Sequence, residues 1–211
     1  KYEKLGSGTD TLSKIADGKH PFSKVLKKAK KPMLILGQGA LMRSDGEAVL
    51  ATARYIAEEY NLIQEDWNGF NILHTAAARV GGLDLGILSS GGVANIIDGC
   101  MSGRIKVLYL LGADELDMNK LGNAFVIYQG HHGDAGAHRA DVILPCVAYT
   151  EKNATYVNTE GRVQRTHLAV FPVGEAKEDW AIIRALSEVL GHKLSYDSLP
   201  QIRKRMVEIN K

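Results

Sequence analysis

The chain has 211 residues, of which 45% are hydrophobic and 24% are charged, and its formal net charge is +2. This composition predicts a folded globular protein, and the length suffices for one or two domains. The small net charge excludes a sequence-independent nucleic-acid binder, because such proteins neutralise many phosphates with clustered Lys and Arg.

Residues 1–31 are predicted to form an N-terminal helical packing arm. One short helix should cover 11–16, and a second should open with Pro21 in its first turn. The basic run Lys24–Lys31 indicates a solvated helix face, with an acidic or phosphate-bearing partner as the alternative. The chain begins at Lys1 without a methionine, and we expect it to be a piece of a longer protein.

Residues 32–165 are predicted to form an α/β domain of the nucleotide-binding type. The apolar run Met33–Leu36 suits a strand covered on both faces, and the turn Gly37-Gln38-Gly39 follows it directly. Ser44 and Glu47 have the spacing of a capping box, so a helix should begin there. A strand, a glycine turn and a helix in this order open a parallel α/β unit.

The same pattern recurs along the chain. Helices are predicted over 72–80 and 95–101, and strands over 107–111, 125–128 and 142–144. Glycine or proline loops close these strands, as Gly37 closes the first one. Because parallel strands end at one edge of their sheet, where α/β proteins hold ligands, we expect the loops at Gly37, Gly112 and Gly130 to share one edge.

Residues 166–211 are predicted to be a C-terminal helix and tail packed on the same domain. Glu178 and Asp179 are favourable at the positive end of the helix, and Gly191 should follow its last turn. Residues from Tyr196 onward are predicted to be a loosely packed tail.

The turn Gly37-Gln38-Gly39 is the first candidate site, since a dinucleotide pyrophosphate can lie at such a strand-to-helix turn. The third glycine of the dinucleotide fingerprint is missing, because Met42 occupies its place. Glu65 and Asp66 come too late to bind the ribose. We therefore disfavour an NAD site and expect a tight turn.

The second candidate site is the group His131, His132, Asp134 and His138. Histidine and carboxylate side chains bind metals and move protons near neutral pH. Adjacent histidines in an extended segment tend to point apart, so the alternative is a set of imidazoles that hydrogen-bond the loop backbone.

The third candidate site is the segment Glu151–Arg162. We predict that it forms a buried polar network that fixes a long crossover segment, and we favour this structural role rather than catalysis by Glu160. Gly161 allows a positive φ, and Arg162 can pair with Glu151 or Glu160. The side chains expected to hydrogen-bond nearby backbone are Thr155, Asn158, Thr159 and Glu160.

Two further features carry expectations. Cys100 and Cys146 are the two cysteines, and their apolar neighbours predict buried, reduced thiols. An iron-sulfur cluster typically needs about four patterned thiolates, so this chain should not hold one by itself. In the loop Gly112–Glu115, we expect Asp114 to cap the backbone that follows.

Seven segments taken in order point to one family: Asp17–Phe22, Leu110–Asp114, Tyr128–Asp134, Ala140–Pro145, Tyr149–Lys152, Tyr156–Arg162 and Glu178–Glu188. Together they closely resemble the large iron-sulfur subunit, or G subunit, of NADH:quinone oxidoreductase, respiratory complex I. The resemblance implies the C-terminal portion of a longer subunit whose N-terminal portion carries iron-sulfur clusters. It also implies an α/β fold, a mostly parallel sheet with helices on both faces, like a molybdopterin oxidoreductase that has lost its cofactor.

The family resemblance also sets expectations about function. The blocks Ala140–Pro145 and Glu151–Arg162 are shared with molybdenum enzymes, where this region helps to bind a pterin dinucleotide. Here the resemblance implies a scaffold without catalytic, cofactor-binding or metal-binding residues, which supports electron transfer from NADH to quinone through assembly alone. The implied partners are other peripheral-arm subunits, with no direct membrane insertion. The implied location is the cytoplasmic side of the bacterial inner membrane or the matrix side of the mitochondrial one.

Two other functions stay open at this point. The first is the cofactor-binding domain of an active molybdopterin oxidoreductase of the formate dehydrogenase or nitrate reductase type. The second is a hydrolase that uses a metal held by His131, His132 and Asp134.

Overall fold

The computed structural model describes residues 2–210, which form two compact units with mixed α/β structure. The first unit contains the residues up to Gly81 together with Val157–Val163. The second contains Gly82–Tyr156 and the residues from Gln164 onward. Within 2–210 no helix has both the length and the apolar character needed to cross a membrane.

Helices and strands alternate along most of the chain. The helices are α1 Thr9–Ala16, α2 Ser23–Lys28, α3 Gln38–Leu41, α4 Gly46–Glu59, α5 Arg79–Asp84, α6 Gly92–Met101, α7 Ala135–Arg139, α8 Asp179–Val189 and α9 Leu199–Ile209. The strands are β1 Leu34–Gly37, β2 Ile63–Gln64, β3 Trp67–Asn68, β4 Phe70–Leu73, β5 Val107–Leu111, β6 Phe125–Gly130, β7 Val142–Pro145, β8 Thr155–Val157 and β9 Val163–Arg165. Single 3₁₀ turns occur at Met118–Lys120 and Tyr149–Glu151.

The core of the first unit lies between its helices and a pair of parallel strands. Strand β1 pairs with β4 from Leu34 opposite Phe70 to Gly37 opposite Leu73. Both Leu34 and Phe70 pack against a buried cluster from α1 and α4. The hydroxyl of Tyr60 donates to the carbonyl of Ile15 at 2.6 Å, which ties the end of α4 to α1.

The second unit is built on a three-stranded parallel sheet in the order β5-β6-β7. Val107 lies opposite Phe125, and Ile127 lies opposite Val142. One face of this sheet is buried against α6 and α7 through Leu110, Val126 and Tyr128, which share a cluster with residues of both helices. On the other face the side chain of Gln129 meets the first residue of α8. The α/β class predicted from the sequence, with parallel sheets and helices on both faces, is confirmed.

The predicted helix over 72–80 is wrong. Ile72 lies in strand β4, and the helix begins only at Arg79. The run of alanines after Thr75 favours a helix locally, but pairing with β1 decides the conformation of Phe70–Leu73, because tertiary contacts override propensity. The short hairpin of β2 and β3 had no predicted counterpart.

Two other predictions need correction. The capping box of Ser44 and Glu47 does not form; Asp45 precedes α4, and its carboxylate pairs with Arg43 instead of a backbone amide. Strand β1 is not covered on both faces, because the side chain of Ile35 is 60% exposed. In the tail, Leu199–Ile209 form helix α9 with Pro200 near its start, where a missing amide costs nothing, and no residue of this helix is buried.

The strands do not belong to one sheet. Strand β1 pairs with β4 in the first unit, whereas β5, β6 and β7 form a separate sheet in the second unit. The expected common edge of Gly37, Gly112 and Gly130 is therefore wrong. The predicted three-part division of the chain stays a prediction, and the compact units cut the chain at other points than its boundaries: 1–31, 32–165 and 166–211.

Candidate functional site

A cleft of about 510 Å³ opens at the carboxyl ends of β6 and β7. This is the edge of a parallel sheet where α/β proteins hold ligands, and the volume falls within the usual range for small-molecule sites. Its ionisable side chains are His131, His132, Cys146 and Glu151. Of the Lys and Arg residues that the structure describes, none lines it. The remaining walls are mainly apolar: Ala137, Ile143, Pro145, Ala148, Val173 and Ala176.

The histidines of this loop are together, contrary to the expectation that they point apart. The rings of His131 and His132 meet edge to face with centroids 4.4 Å apart. His138 is exposed in α7, and its backbone amide donates to the carbonyl of Asp134 at 3.1 Å. Within residues 2–210 no three His, Cys, Asp or Glu side chains are grouped so that they could hold a metal ion. The described residues therefore do not offer the set of ligands that the metal-dependent hydrolase considered above requires.

A partly buried polar network lies beside the cleft on the α8 face of the sheet. Lys152 donates to the Oδ2 atom of Asp179 at 2.5 Å, and the amide of Gln129 donates to Oδ1 of the same carboxylate at 3.0 Å. The hydroxyl of Tyr109 donates to the Gln129 Oε1 atom at 2.5 Å. Gln129 has no exposed surface, so each of its polar atoms needs a protein partner, and this network supplies them.

The network also fixes the protonation of its members. Burial would raise the pKa of Asp179, but hydrogen bonds from Lys152, Cys146 and Gln129 outweigh it and hold that pKa below its ordinary value. Burial, together with the hydrogen bond to Asp179 and its negative charge, raises the pKa of Cys146 to about 12. Cys146 is therefore a neutral thiol near pH 7, and a neutral thiol is a poor nucleophile and metal ligand.

On the opposite face, Tyr128 fills the space where β6 ends. A methyl group added at Gly130 would lie 2.2 Å from the Tyr128 Cζ atom, and one at Gly136 would lie 2.8 Å from its ring. The amide of Gly136 points at the Oδ2 atom of Asp114, 3.5 Å away. Burial, followed by the nearby charges of Asp114 and Asp134, raises the pKa of the Tyr128 phenol. This edge is thus packed and acidic, and Asp114 contacts α7 rather than its own loop.

Of the four side chains in Glu151–Arg162 that were expected to bond nearby backbone, Asn158 does so, whereas Thr155 and Thr159 bond residues far away in the chain. The Oδ1 atom of Asn158 accepts from the amides of Glu160 at 3.0 Å and Arg162 at 2.9 Å, and Gly161 has a φ of 82°. The hydroxyl of Thr159 donates to the carbonyl of Ile72 at 2.5 Å.

The expected ion pair of this segment does not form, since Arg162 pairs with neither glutamate in the part of the chain that the structure covers. Instead the carboxylate of Glu151 accepts from the amide of Ala148 at 2.9 Å. Thr155 accepts from the guanidinium of Arg203 at 3.2 Å rather than bonding its own backbone. Glu160 donates its backbone amide to Asn158, so its place in this loop is explained without a catalytic role for its side chain. We call the hydrogen bonds from this loop to the Asn158 side chain the loop lock.

The turn Gly37-Gln38-Gly39 has a different role from a phosphate loop. Gly37 ends β1, and Gln38 and Gly39 belong to the four-residue helix α3. The Gln38 Oε1 atom accepts from both the amide and the hydroxyl of Thr75, at 3.0 and 3.1 Å. The side chain thereby links the ends of β1 and β4, as expected of a structural turn.

The sequence did not reveal the network of Tyr109, Gln129, Lys152 and Asp179. Its members lie far apart in the chain: the ion pair joins residues 27 positions apart, and Gln129 reaches across 50 positions to Asp179. One signal was present, because Gln129 is a polar residue in a strand that is otherwise apolar. A buried amide of this kind requires polar partners.

A protein-family model covers most of the chain. The family model described as "Molybdopterin oxidoreductase" matches residues 1–189. Among solved structures, the chain titled "Acetylene Hydratase from Pelobacter acetylenicus" is similar over 47% of this chain and 16% of its own, at 22% identity and a TM-score of 0.43.

Curated relatives match almost the whole chain. The NADH-ubiquinone oxidoreductase 75 kDa subunit of Reclinomonas americana is 49% identical over 98% of this chain and 30% of its own length. The NADH dehydrogenase [ubiquinone] iron-sulfur protein 1 of Solanum tuberosum is 50% identical over 97% of this chain and 27% of its own. The G subunit of NADH-quinone oxidoreductase from Rickettsia bellii is 46% identical over 99% of this chain and 29% of its own length.

These relatives confirm the resemblance predicted from the sequence, and this chain spans less than a third of the length of each of them. Because the family model covers residues 1–189 of a 211-residue chain, this protein belongs to the molybdopterin oxidoreductase family.

Proposed function

We propose that this chain is the C-terminal part of the iron-sulfur G subunit of an NADH:quinone oxidoreductase, where it serves as a non-catalytic scaffold. The observation that carries the proposal is the identity of 46–50% to subunits of that name over 97–99% of the chain. On this proposal the iron-sulfur clusters lie in the remaining part of the longer subunit. Electrons then pass from NADH to quinone through those clusters, and this part holds the surrounding protein in place.

The cleft residues support the scaffold role because they do not fit a pterin dinucleotide. A diphosphate needs cations or free backbone amides, yet no described Lys or Arg lines the cleft and the Gly136 amide already faces Asp114. The acidic surroundings of Tyr128 would repel a diphosphate. The Tyr128 ring itself takes up the space beside Gly130 and Gly136, where a ligand would approach the backbone.

The network around Asp179 supports the same role. Lys152, the cation nearest to this edge in the polar network, is neutralised by Asp179 and is not available to a ligand. The Cys146 thiol is held neutral near pH 7, and a neutral thiol is a poor ligand for molybdenum. The scaffold therefore joins the other peripheral-arm subunits without contributing a redox centre. The proposed location is the cytoplasmic face of the bacterial inner membrane or the matrix face of the mitochondrial one.

To test the scaffold role, the native complex that contains the full-length subunit is purified. Bound molybdenum is then measured by elemental analysis, and bound pterin by fluorescence after oxidation. We expect neither to approach one equivalent per chain. A stoichiometric amount of either would overturn the scaffold role and favour an active molybdopterin oxidoreductase of the formate dehydrogenase type.

A second measurement tests the scaffold directly. Lys152→Met in the full-length subunit should lower the amount of assembled complex, because it breaks the network, while the NADH:quinone turnover per assembled complex stays unchanged. Lys31→Met is the matched control, since Lys31 forms an exposed pair with Asp66 at 2.9 Å. A fall in turnover per complex at unchanged assembly would contradict a purely structural role.

A further inference from the structure

We propose that the exposed apolar face of the β5-β6-β7 sheet is a docking surface for a helix from the remaining part of the same longer polypeptide. This docking face consists of Val107, Phe125 and Val142. The inference rests on the proposed function in one respect only: it takes the chain to be one part of a longer subunit.

The sequences of the strands indicate that both faces of this sheet are meant to be covered. Strand β5 reads VLYLL, and β6 begins FVIY, without the polar residues that alternate in sheets with one solvated face. Continuous apolar strands are typical of parallel sheets, which occur with layers on both faces. A sheet that met water on one face would show polar side chains at every second position.

The structure covers the two faces of this sheet unequally, although Ile143 of β7, on the better covered face, is itself 52% exposed. On the covered face, Leu110, Val126 and Tyr128 are each at most 5% exposed. On the docking face, Val107 is 58% exposed, Phe125 46% and Val142 39%. The register places these three side chains in adjoining rows of one face, since Val107 lies opposite Phe125 and Val142 lies opposite Ile127.

At the far end of this side of the sheet the cover is partial, since Leu111, opposite Gln129, is 49% exposed. There Gln129 is fully buried and bonded to Asp179 at the start of α8. The uncovered area therefore follows edge strand β5, where Val107 and Leu111 are 58% and 49% exposed, and extends to the amino ends of β6 and β7. A five-residue strand rises about 16 Å, so a helix of about eleven residues would span it.

The apolar character of the face and the length of the relatives both favour a helix of the same polypeptide as the element that covers it. This chain spans 27–30% of each relative, so on the proposed function most of the subunit lies outside it. A second layer over a parallel sheet is part of the core of a domain, and a domain completes its core with its own chain. A helix with an apolar stripe from that remaining polypeptide therefore fits better than a separate subunit.

The test labels cysteines placed on the docking face. Val107→Cys and, at the other side of the face, Val142→Cys are introduced into the full-length subunit, and maleimide labelling of each peptide is measured by mass spectrometry. Labelling in the free full-length subunit is compared with labelling in the assembled complex. Val126→Cys, at a position with no exposed surface, gives the protected limit, and the same variants in denaturant give the exposed limit.

We expect both docking-face positions to label at least about tenfold more slowly in the free full-length subunit than in denaturant, and equally slowly in the complex. Rapid labelling in the free subunit with protection in the complex would overturn the proposal, because another protein would then cover the face. Rapid labelling in both states would overturn it as well. These results do not depend on molybdenum or pterin content, so they separate this inference from the proposed function.

Discussion

Replacing Lys152 by methionine should destabilise the fold more than any exposed ion pair could. Methionine keeps the apolar stem but removes the charge, which leaves the Asp179 carboxylate without its cation. Breaking a fully buried pair costs roughly 3–5 kcal/mol, and this pair is partly exposed, at 24% and 28% for the two side chains. Solvent screening reduces the effect, so we expect a loss of about 2 kcal/mol in the free energy of unfolding.

The loss corresponds to a fall in Tm of roughly 4–8 °C for a chain of this size. Circular dichroism during thermal and urea unfolding measures both quantities. The control is Lys31→Met, which removes a pair of the same type whose side chains are 51% and 71% exposed. We expect this control to change stability by less than about 0.5 kcal/mol.

The effect of Lys152→Met should depend on pH with a definite sign. The pKa of Asp179 is lowered in the folded state, so its ionisation stabilises the fold above the unfolded carboxyl pKa near 4. This contribution is lost as the pH falls through the lower folded pKa. The difference between parent and variant should therefore be largest near pH 7 and shrink toward pH 3. An equal loss at both pH values, or a loss no larger than that of Lys31→Met, would refute the reasoning.

Three further predictions concern the edge of the β5-β6-β7 sheet and, separately, the Asn158 loop. Because the pKa of Cys146 is raised in the folded state, its neutral thiol contributes to stability below about pH 9, and this contribution is lost as the pH rises toward 12. Cys146→Ala should therefore reduce the fall in stability at alkaline pH that urea unfolding measures. Gly130→Ala should cost about 1–3 kcal/mol, because the added methyl group meets the Tyr128 ring, whereas Gly133→Ala, with nothing within 4 Å, should be neutral in the same assay. Asn158→Ala should cost about 1–2 kcal/mol and raise amide exchange at two loop amides, whereas Asn158→Asp keeps the acceptor and should rescue both; equal losses in the two variants would argue against the loop lock.

Local patterns in the sequence were sufficient to predict a helix or strand where burial and periodicity agree. Strands β5, β6 and β7 are short apolar runs closed by Gly112, Gly130 and Pro145, and they were predicted within two residues of their observed ends. Helix α8 was predicted because its acidic start and Gly191, with a φ of 74°, mark both ends. These features depend on neighbours within a few residues, which a sequence displays directly.

The remaining features depend on contacts between distant parts of the chain. Phe70–Leu73 become a strand only because β1 lies beside them, and the residues that follow favour a helix. The division of the strands into two sheets is likewise a property of pairing, not of any strand by itself. Among the candidate sites, the histidine loop and the Asn158 loop were found from the sequence, whereas the partners of Asp179 were not, because no local pattern relates Lys152 and Gln129 to it.

The first compact unit is discontinuous in the chain, because Val157–Val163 belong with the residues up to Gly81. On the ribosome, those seven residues emerge only after Gly82–Tyr156 have been made, which takes on the order of 4–15 s at ordinary rates of synthesis. Until then the carbonyl of Ile72 lacks the Thr159 hydroxyl that binds it in the finished protein. The first unit is therefore completed only after much of the second has been made, and a nascent chain stalled before residue 157 should leave the first unit open to proteases.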